Sequence, residues 1–177
     1  GIEAADPGLL PVRIKQAAEA ALRGGGVPWT IFRATHFMES LDLFVRGDTA
    51  ALLGRQTLRY HYLAAEDYSG QGARAWRAPG AARKALTLLG PEAFTMEEAL
   101  TRYIALARPD LRLRHVPLLV PKLVARLTRN AELAMVAALF DSFRRIPETG
   151  SRDEADALVG PATTRLDQWC RRRAGAA

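Results

Sequence analysis

The chain has 177 residues, a net charge of +6 and one cysteine. With 49% hydrophobic and 25% charged residues, it falls outside the disordered, collagen-like and low-complexity classes. Cys170 alone excludes an intrachain disulfide framework and any multi-cysteine metal site. The longest apolar runs, such as Leu133 to Phe140, fall far short of the ~20 residues that span a bilayer. No basic-then-apolar leader opens the sequence. A cytoplasmic domain with no membrane span is expected, large enough for one core.

Of 25 basic residues 22 are Arg, a usage that points to genome base composition rather than to recognition. The excess charge is local. Residues 101–150 carry nine basic and four acidic side chains, +5, whereas the other segments nearly balance. A solvated helical face explains this better than a nucleic-acid surface, and no nucleic-acid partner is expected.

Residues 11–23 read as a helix, with Pro11 in its first turn and Ile14, Ala18, Ala21 and Leu22 on one stripe; Gly24, Gly25 and Gly26 stop it. Trp29 to Arg33 is a β-rich run and predicts a strand. Residues 36–46 predict a helix with Phe37, Leu41 and Phe44 on one face. Strands are expected at Thr57–Leu63 and Ala85–Leu89, with a helix over 66–78 between them and Pro79–Gly80 as its stop.

The second half reads as mostly helical. Thr95 to Glu98 is a capping box ahead of Ala99, Leu100, Tyr103 and Ile104. Arg112 to Val116 predicts a short strand. Residues 118–129 and 131–144 predict two amphipathic helices or one bent helix. Ser151 to Glu154 should cap a short helix, and Thr163 or Thr164 should open the last one, ending near Arg173. This alternation predicts an α/β front and a helical lobe behind.

Candidate chemistry is sparse. His36, His61 and His115 lack partners at i+3 or i+4, so zinc spacing is absent and structural or pocket-lining roles are expected. Ser69 lacks the first glycine of a nucleophile elbow. Cys170 adjoins Arg171, Arg172 and Arg173, which favour a thiolate, but no histidine is close in sequence; a helix-face cysteine is the better reading. Gly70-Gln-Gly-Ala-Arg-Ala75 matches G-x-G-x-x-A, and Glu92 follows about 20 residues on. Four residues separate it from the preceding strand, and Pro79 leaves room for about two turns, so a glycine pair early in a helix fits better. The segment from Lys15 to Glu39 is the richest: a lysine early in a helix, a glycine turn, a buried strand, then the loop Ala34 to Met38. In doubly wound folds ligands bind at the carboxyl ends of strands, which makes this loop the candidate ligand site. A connecting loop beside a solvated lysine is the equally weighted alternative.

The run IKQAAEAALRGGGVPWTIFRATHFMES resembles the NmrA-like, atypical branch of the short-chain dehydrogenase/reductase superfamily. The resemblance continues through Ala64 to Asp67, through LLGPEAFTMEEAL and on to GPATTRLDQW. It implies a Rossmann-type NAD(P)-binding protein. The family's glycine-rich phosphate loop precedes the lysine helix, and none stands before Lys15 here. The resemblance therefore implies the C-terminal part of a doubly wound parallel sheet, starting near the end of a fifth strand, with a mostly helical substrate lobe. The expected division is 1–94 for the Rossmann part and 95–177 for the lobe. By resemblance, Lys15 and Ala34, Thr35, His36 and Phe37 are cofactor-binding, and Phe37, Met38 and Tyr60 line the substrate pocket.

One position departs from the catalytic members. The tyrosine four residues before the lysine is replaced by Pro11. Its phenol would need Lys⁺ and the ribose to lower its pKa. Three function classes follow. The first is an NAD(P)-dependent oxidoreductase on a small carbonyl or quinone compound. The second is a dinucleotide-binding redox sensor without turnover. The third is an interaction module using the basic helices 118–145, whose Lys122, Arg126 and Arg129 lie opposite Leu123, Val124 and Leu127. A dinucleotide should bind well only when the phosphate-binding half is present. Self-association is left open.

Overall fold

The computed structural model describes residues 8–175; the expected end of a fifth strand near residue 1 lies outside them. Pro11 sits in the first turn of α1 (Leu10–Gly24), and the backbone N–H of Gly25 closes it onto Leu22. The apolar stripe of this helix is exposed rather than packed: Ile14 is 59% and Leu22 40% accessible, and Val12 alone on the helix is buried. The glycine turn leads into β1 (Thr30–Ala34), which runs parallel to β6 (Lys84–Leu88) in the register Thr30–Lys84 to Ala34–Leu88. Among the described residues β1 pairs with no other strand. All five of its residues are only half-buried, although parallel strands are ordinarily covered on both faces.

The helix expected over 36–46 does not form. His36–Phe37 make a short strand, β2, parallel to β5 (Arg59–Leu63), and Met38–Phe44 wind as a 3-10 helix. Strand pairing claims the first residues, and Ser40 Oγ donates to the Phe37 carbonyl at 2.6 Å. The expected apolar face is split accordingly. Leu41 and Phe44 pack into one core, while Phe37 packs into another. Gly47 then turns the chain at φ +60°, so that β3 (Val45–Arg46) pairs antiparallel with β4 (Thr49–Leu53). The strand β4 has no clear signal in the sequence, because its Thr-Ala-Ala-Leu-Leu is poor in β-branched residues. Its alternating burial places Ala50 and Leu52 inside.

The helix α2 (Ala65–Trp76) follows β5, and β7 (Ala93–Thr95) pairs antiparallel with β5. The Thr95–Glu98 capping box opens α3 (Met96–Ala107) as expected, with both reciprocal hydrogen bonds present. The predicted strand β8 (Arg112–Val116) lies parallel to β4. Two helices then form, α4 (Leu119–Thr128) and α5 (Ala131–Phe143). The break is Arg129, left-handed at φ 54°, followed by Asn130, whose side chain caps the amide of Leu133. The helix α4 packs inward through small side chains. Pro121 and Ala125 are its buried side chains, while Leu123, Val124 and Leu127 are 52%, 42% and 74% exposed.

Ser151 Oγ accepts from the Asp153 amide at the start of α6 (Asp153–Val159), while Glu154 meets Lys84 instead of closing a capping box. The last helix, α7 (Leu166–Ala174), begins after both threonines. The amides of Thr163 and Thr164 donate to Asp67 Oδ2 at 3.0 and 2.8 Å, so they are fastened to the first turn of α2.

Two cores result. One gathers Met38, Leu41, Leu52, Tyr62, Met96, Leu100, Tyr103 and Trp169; the other gathers Leu63, Leu86, Leu88 and Val159 with Phe32, Phe37 and Tyr68. Tyr62 and Leu63 are neighbours on β5 and point to opposite faces, so this strand is the wall between the cores. Both cores draw residues from either side of position 94.

Candidate functional site at the carboxyl ends of the parallel strands

Two contacts fix how α1 lies on β1. Near its C-terminus, the Arg23 guanidinium stacks 4.8 Å over the Trp29 ring, just before β1. One turn earlier, Glu19 takes a bidentate grip on Arg33, at 3.0 and 2.5 Å, near the end of β1. The helix is therefore antiparallel to the strand. Lys15, exposed and one turn before Glu19 on the same face, extends this row toward the Ala34–Phe37 end. Burial holds the Arg33 guanidinium below its ordinary pKa.

Ala34 and Thr35, beyond Arg33, are half-buried. Phe37 is half-buried against Tyr68, edge to face at 5.2 Å. Met38 is 1% exposed and belongs to the first core. His36 is 8% exposed. It sits in an aromatic cage, 4.8 Å from Tyr60, 5.5 Å from Tyr62 and 4.8 Å from Phe143 between ring centroids. Its Nε2 has no hydrogen-bond partner among the described residues. Desolvation lowers its pKa to about 4 against the opposing pull of Glu148, so the ring is neutral at neutral pH.

Tyr60 is also buried. Its hydroxyl lies 2.6 and 2.5 Å from the carbonyls of Phe143 and Ile146 and donates its proton there. Burial, then Glu148, pushes its pKa up to about 12, so it is a poor proton donor at neutral pH. Next to it is a pair that sequence spacing did not reveal. His61 Nδ1 is 2.5 Å from Glu148 Oε2, and the His61 amide donates to both carboxylate oxygens at 3.2 and 3.3 Å. Glu148 lies in an irregular Pro-Glu-Thr-Gly segment 87 residues away; no local signal links it to His61.

The loop after β6 closes on this region. A Cβ on Gly90 would stand 1.7 Å from the Tyr62 carbonyl, so only glycine lets the two backbones approach. The third histidine, His115, is exposed and paired with Glu97 at 3.2 Å. Among the described residues no three His, Cys, Asp or Glu side chains cluster as metal ligands. Cys170 is fully buried, and desolvation pushes its thiol up to about 12. Gly70 and Gly72 lie inside α2, and Ala64, the single residue between β5 and α2, is no glycine, so this motif forms no phosphate-cradling turn.

No protein-family model matches the chain, and no curated protein matches it in sequence. Solved structures do match. Leucoanthocyanidin reductase of Vitis vinifera in its binary complex with NADPH superposes with a TM-score of 0.73 at 15% identity, over 97% of this chain and 64% of that one. The NADPH-dependent quinone oxidoreductase of Escherichia coli gives 0.70 at 15%, over 97% and 63%. A nucleoside-diphosphate-sugar epimerase of Staphylococcus aureus gives 0.64 at 15%, over 88% and 56%. The chain thus spans about three-fifths of the length of these structures. What the likeness establishes is the fold: an α/β architecture with parallel sheet elements, matching that of these Rossmann-like structures.

Proposed function

We propose that this chain is the substrate-side part of an NmrA-like NAD(P)-binding protein of the oxidoreductase type. The observation that carries the reading is the open, half-buried edge of β1, with Lys15 and the Ala34–Phe37 segment at its carboxyl end. A further parallel strand added there would create the crevice in which doubly wound folds hold ligands. The exposed stripe Ile14–Leu22 on α1 would be covered by the same addition. The division at residue 94 is then one of role, not of packing, with 95–177 supplying the lobe over the substrate.

In this reading Lys15 holds the nicotinamide ribose. Ala34, Thr35 and Phe37 face the nicotinamide, and Phe37 also borders the substrate; His36, expected beside the cofactor, is buried and with Met38 and Tyr60 forms the wall behind them. The bound nicotinamide supplies the hydride chemistry. The chain's own part is to position it and to exclude water with the Phe37–Tyr68 pair. The substrate class is a small carbonyl or quinone compound, as with the reductase of Escherichia coli. Pro11 in the place of the relay tyrosine favours a second reading, a dinucleotide sensor without turnover.

Calorimetric titration with NADPH and NADH tests the proposal. The longest natural chain carrying these residues should bind, Lys15→Ala should weaken binding by about tenfold, and the 177-residue chain alone should bind far more weakly. Equal, tight binding by the short chain would refute the incomplete-site reading. Cofactor oxidation across a carbonyl and quinone panel separates reductase from sensor.

A further inference from the structure

We propose that the outward face of α4 docks on an anionic membrane surface. The proposal rests on α4 alone and is independent of dinucleotide binding. The helix packs inward through its small side chains, Pro121 and Ala125. Its large apolar side chains point out: Leu119 is 73% exposed, Val120 48%, Leu123 52%, Val124 42% and Leu127 74%. Leu119, Leu123 and Leu127 form one row at i, i+4, i+8, and Val120 and Val124 lie beside it. Proteins rarely leave a contiguous patch of this kind open unless it meets something.

The charge pattern selects the occupant. From Pro117 to Asn130 the chain has three cations, Lys122, Arg126 and Arg129, and no acidic residue. Lys122 and Arg126, at i and i+4 on α4, flank the leucine row instead of lying opposite it as the spacing predicts, and Arg129 follows at the left-handed C-terminal cap. Lys122 is 3.2 Å from Asp141 of α5, which leaves Arg126 and Arg129 as the main charges of the rim. An apolar face with cations along its edge is the arrangement of an interfacial helix. The leucines enter the headgroup–acyl boundary while arginine stems lie along it and their heads reach lipid phosphates. A second copy of this chain fits the face less well, because a two-fold contact presents the same patch twice and brings the basic row onto itself.

Vesicle flotation tests this with the longest natural chain carrying α4. Vesicles of phosphatidylcholine alone are compared with vesicles containing about a third phosphatidylglycerol. Binding to the anionic vesicles is expected, falling severalfold between low and high salt, with little binding to the neutral ones. Leu123→Ser with Leu127→Ser should lower partitioning at least about tenfold, and Arg126→Glu should lower it severalfold. Because these side chains are exposed, circular dichroism should be unchanged. Absence of binding to anionic vesicles would overturn the proposal, as would binding that the leucine variant leaves intact. A dimer by light scattering that the leucine variant reverts to monomer would also overturn it by assigning the face to a second copy.

Discussion

The carboxylate of Glu148 holds His61 twice, through Nδ1 at 2.5 Å and through the backbone amide of the same residue. One acidic side chain thereby fastens the irregular segment after α5 onto the middle of β5. Its side chain is 9% exposed against 30% for the imidazole, so removing the carboxylate leaves its partners poorly solvated. Glu148→Ala should cost about 2 kcal/mol in urea unfolding. A double-mutant cycle with His61→Ala should return a coupling of about 1 kcal/mol. Additive effects would show that the contact contributes nothing.

His36 gives the protein an acid limb. Its pKa is about 4 in the folded state against an ordinary 6.5. Above the ordinary value both states hold the ring neutral. As the pH falls below it, the unfolded chain takes up a proton that the folded chain refuses, and stability drops until about pH 4. The groups facing the ring are Tyr60, Tyr62 and Glu148. The full loss is of the order of 3 kcal/mol. His36→Phe should flatten this limb and be near neutral at pH ~7, since it removes an unpartnered buried nitrogen. An unchanged pH slope in that variant would assign the limb to another group.

Two glycines should behave oppositely. Gly90→Ala drives a Cβ into the Tyr62 backbone carbonyl and should cost more than about 3 kcal/mol or prevent folding. Gly72 is helical, and the nearest atom to its Cβ position is Phe32 Cε2 at 3.8 Å. Gly72→Ala should therefore stabilise by roughly 0.5–1 kcal/mol and leave dinucleotide affinity of the natural chain unchanged. A loss of that affinity would restore the Gly70–Gly72 motif as a phosphate site. Thermal melts and calorimetry read the two effects.

Cys170 should be inert. The adjoining arginines favour a thiolate, but Arg172 and Arg173 are engaged by Glu66 and Asp42, and burial outweighs them in raising the thiol to about 12. A thiol reagent should label the native protein at least about a hundredfold more slowly than the urea-unfolded chain. Comparable rates would mean that α7 opens readily.

Much of the fold was legible because its signals are local. Pro11 and the Gly24–Gly26 stop bound α1, and the Thr95–Glu98 box opens α3, each within a few residues of chain. The β-rich runs at Trp29–Arg33 and Thr57–Leu63 form β1 and β5 within one or two residues of the expected bounds. The 15–38 segment singled out the end of β1 because a lysine, a glycine turn and a strand occur there in order. Ala34–Phe37 follow at the carboxyl end of that strand, and Lys15 is one turn before Glu19, which grips Arg33.

What the sequence by itself determined is most of the helices, the strands β1, β5, β6 and β8, and the existence of two-sided helices. Periodicity says that a helix has an apolar face, but not what covers it. Only the tertiary structure decided that α4 turns its leucines outward and packs through Pro121 and Ala125. Likewise, the pairing of His36–Phe37 with β5 overrode a helical pattern, and Tyr62 and Leu63 were sent to different cores. His61 and Glu148, 87 residues apart, met for the same reason. Propensity and capping act over a turn of chain, whereas strand pairing and burial are settled by residues that are neighbours only after folding.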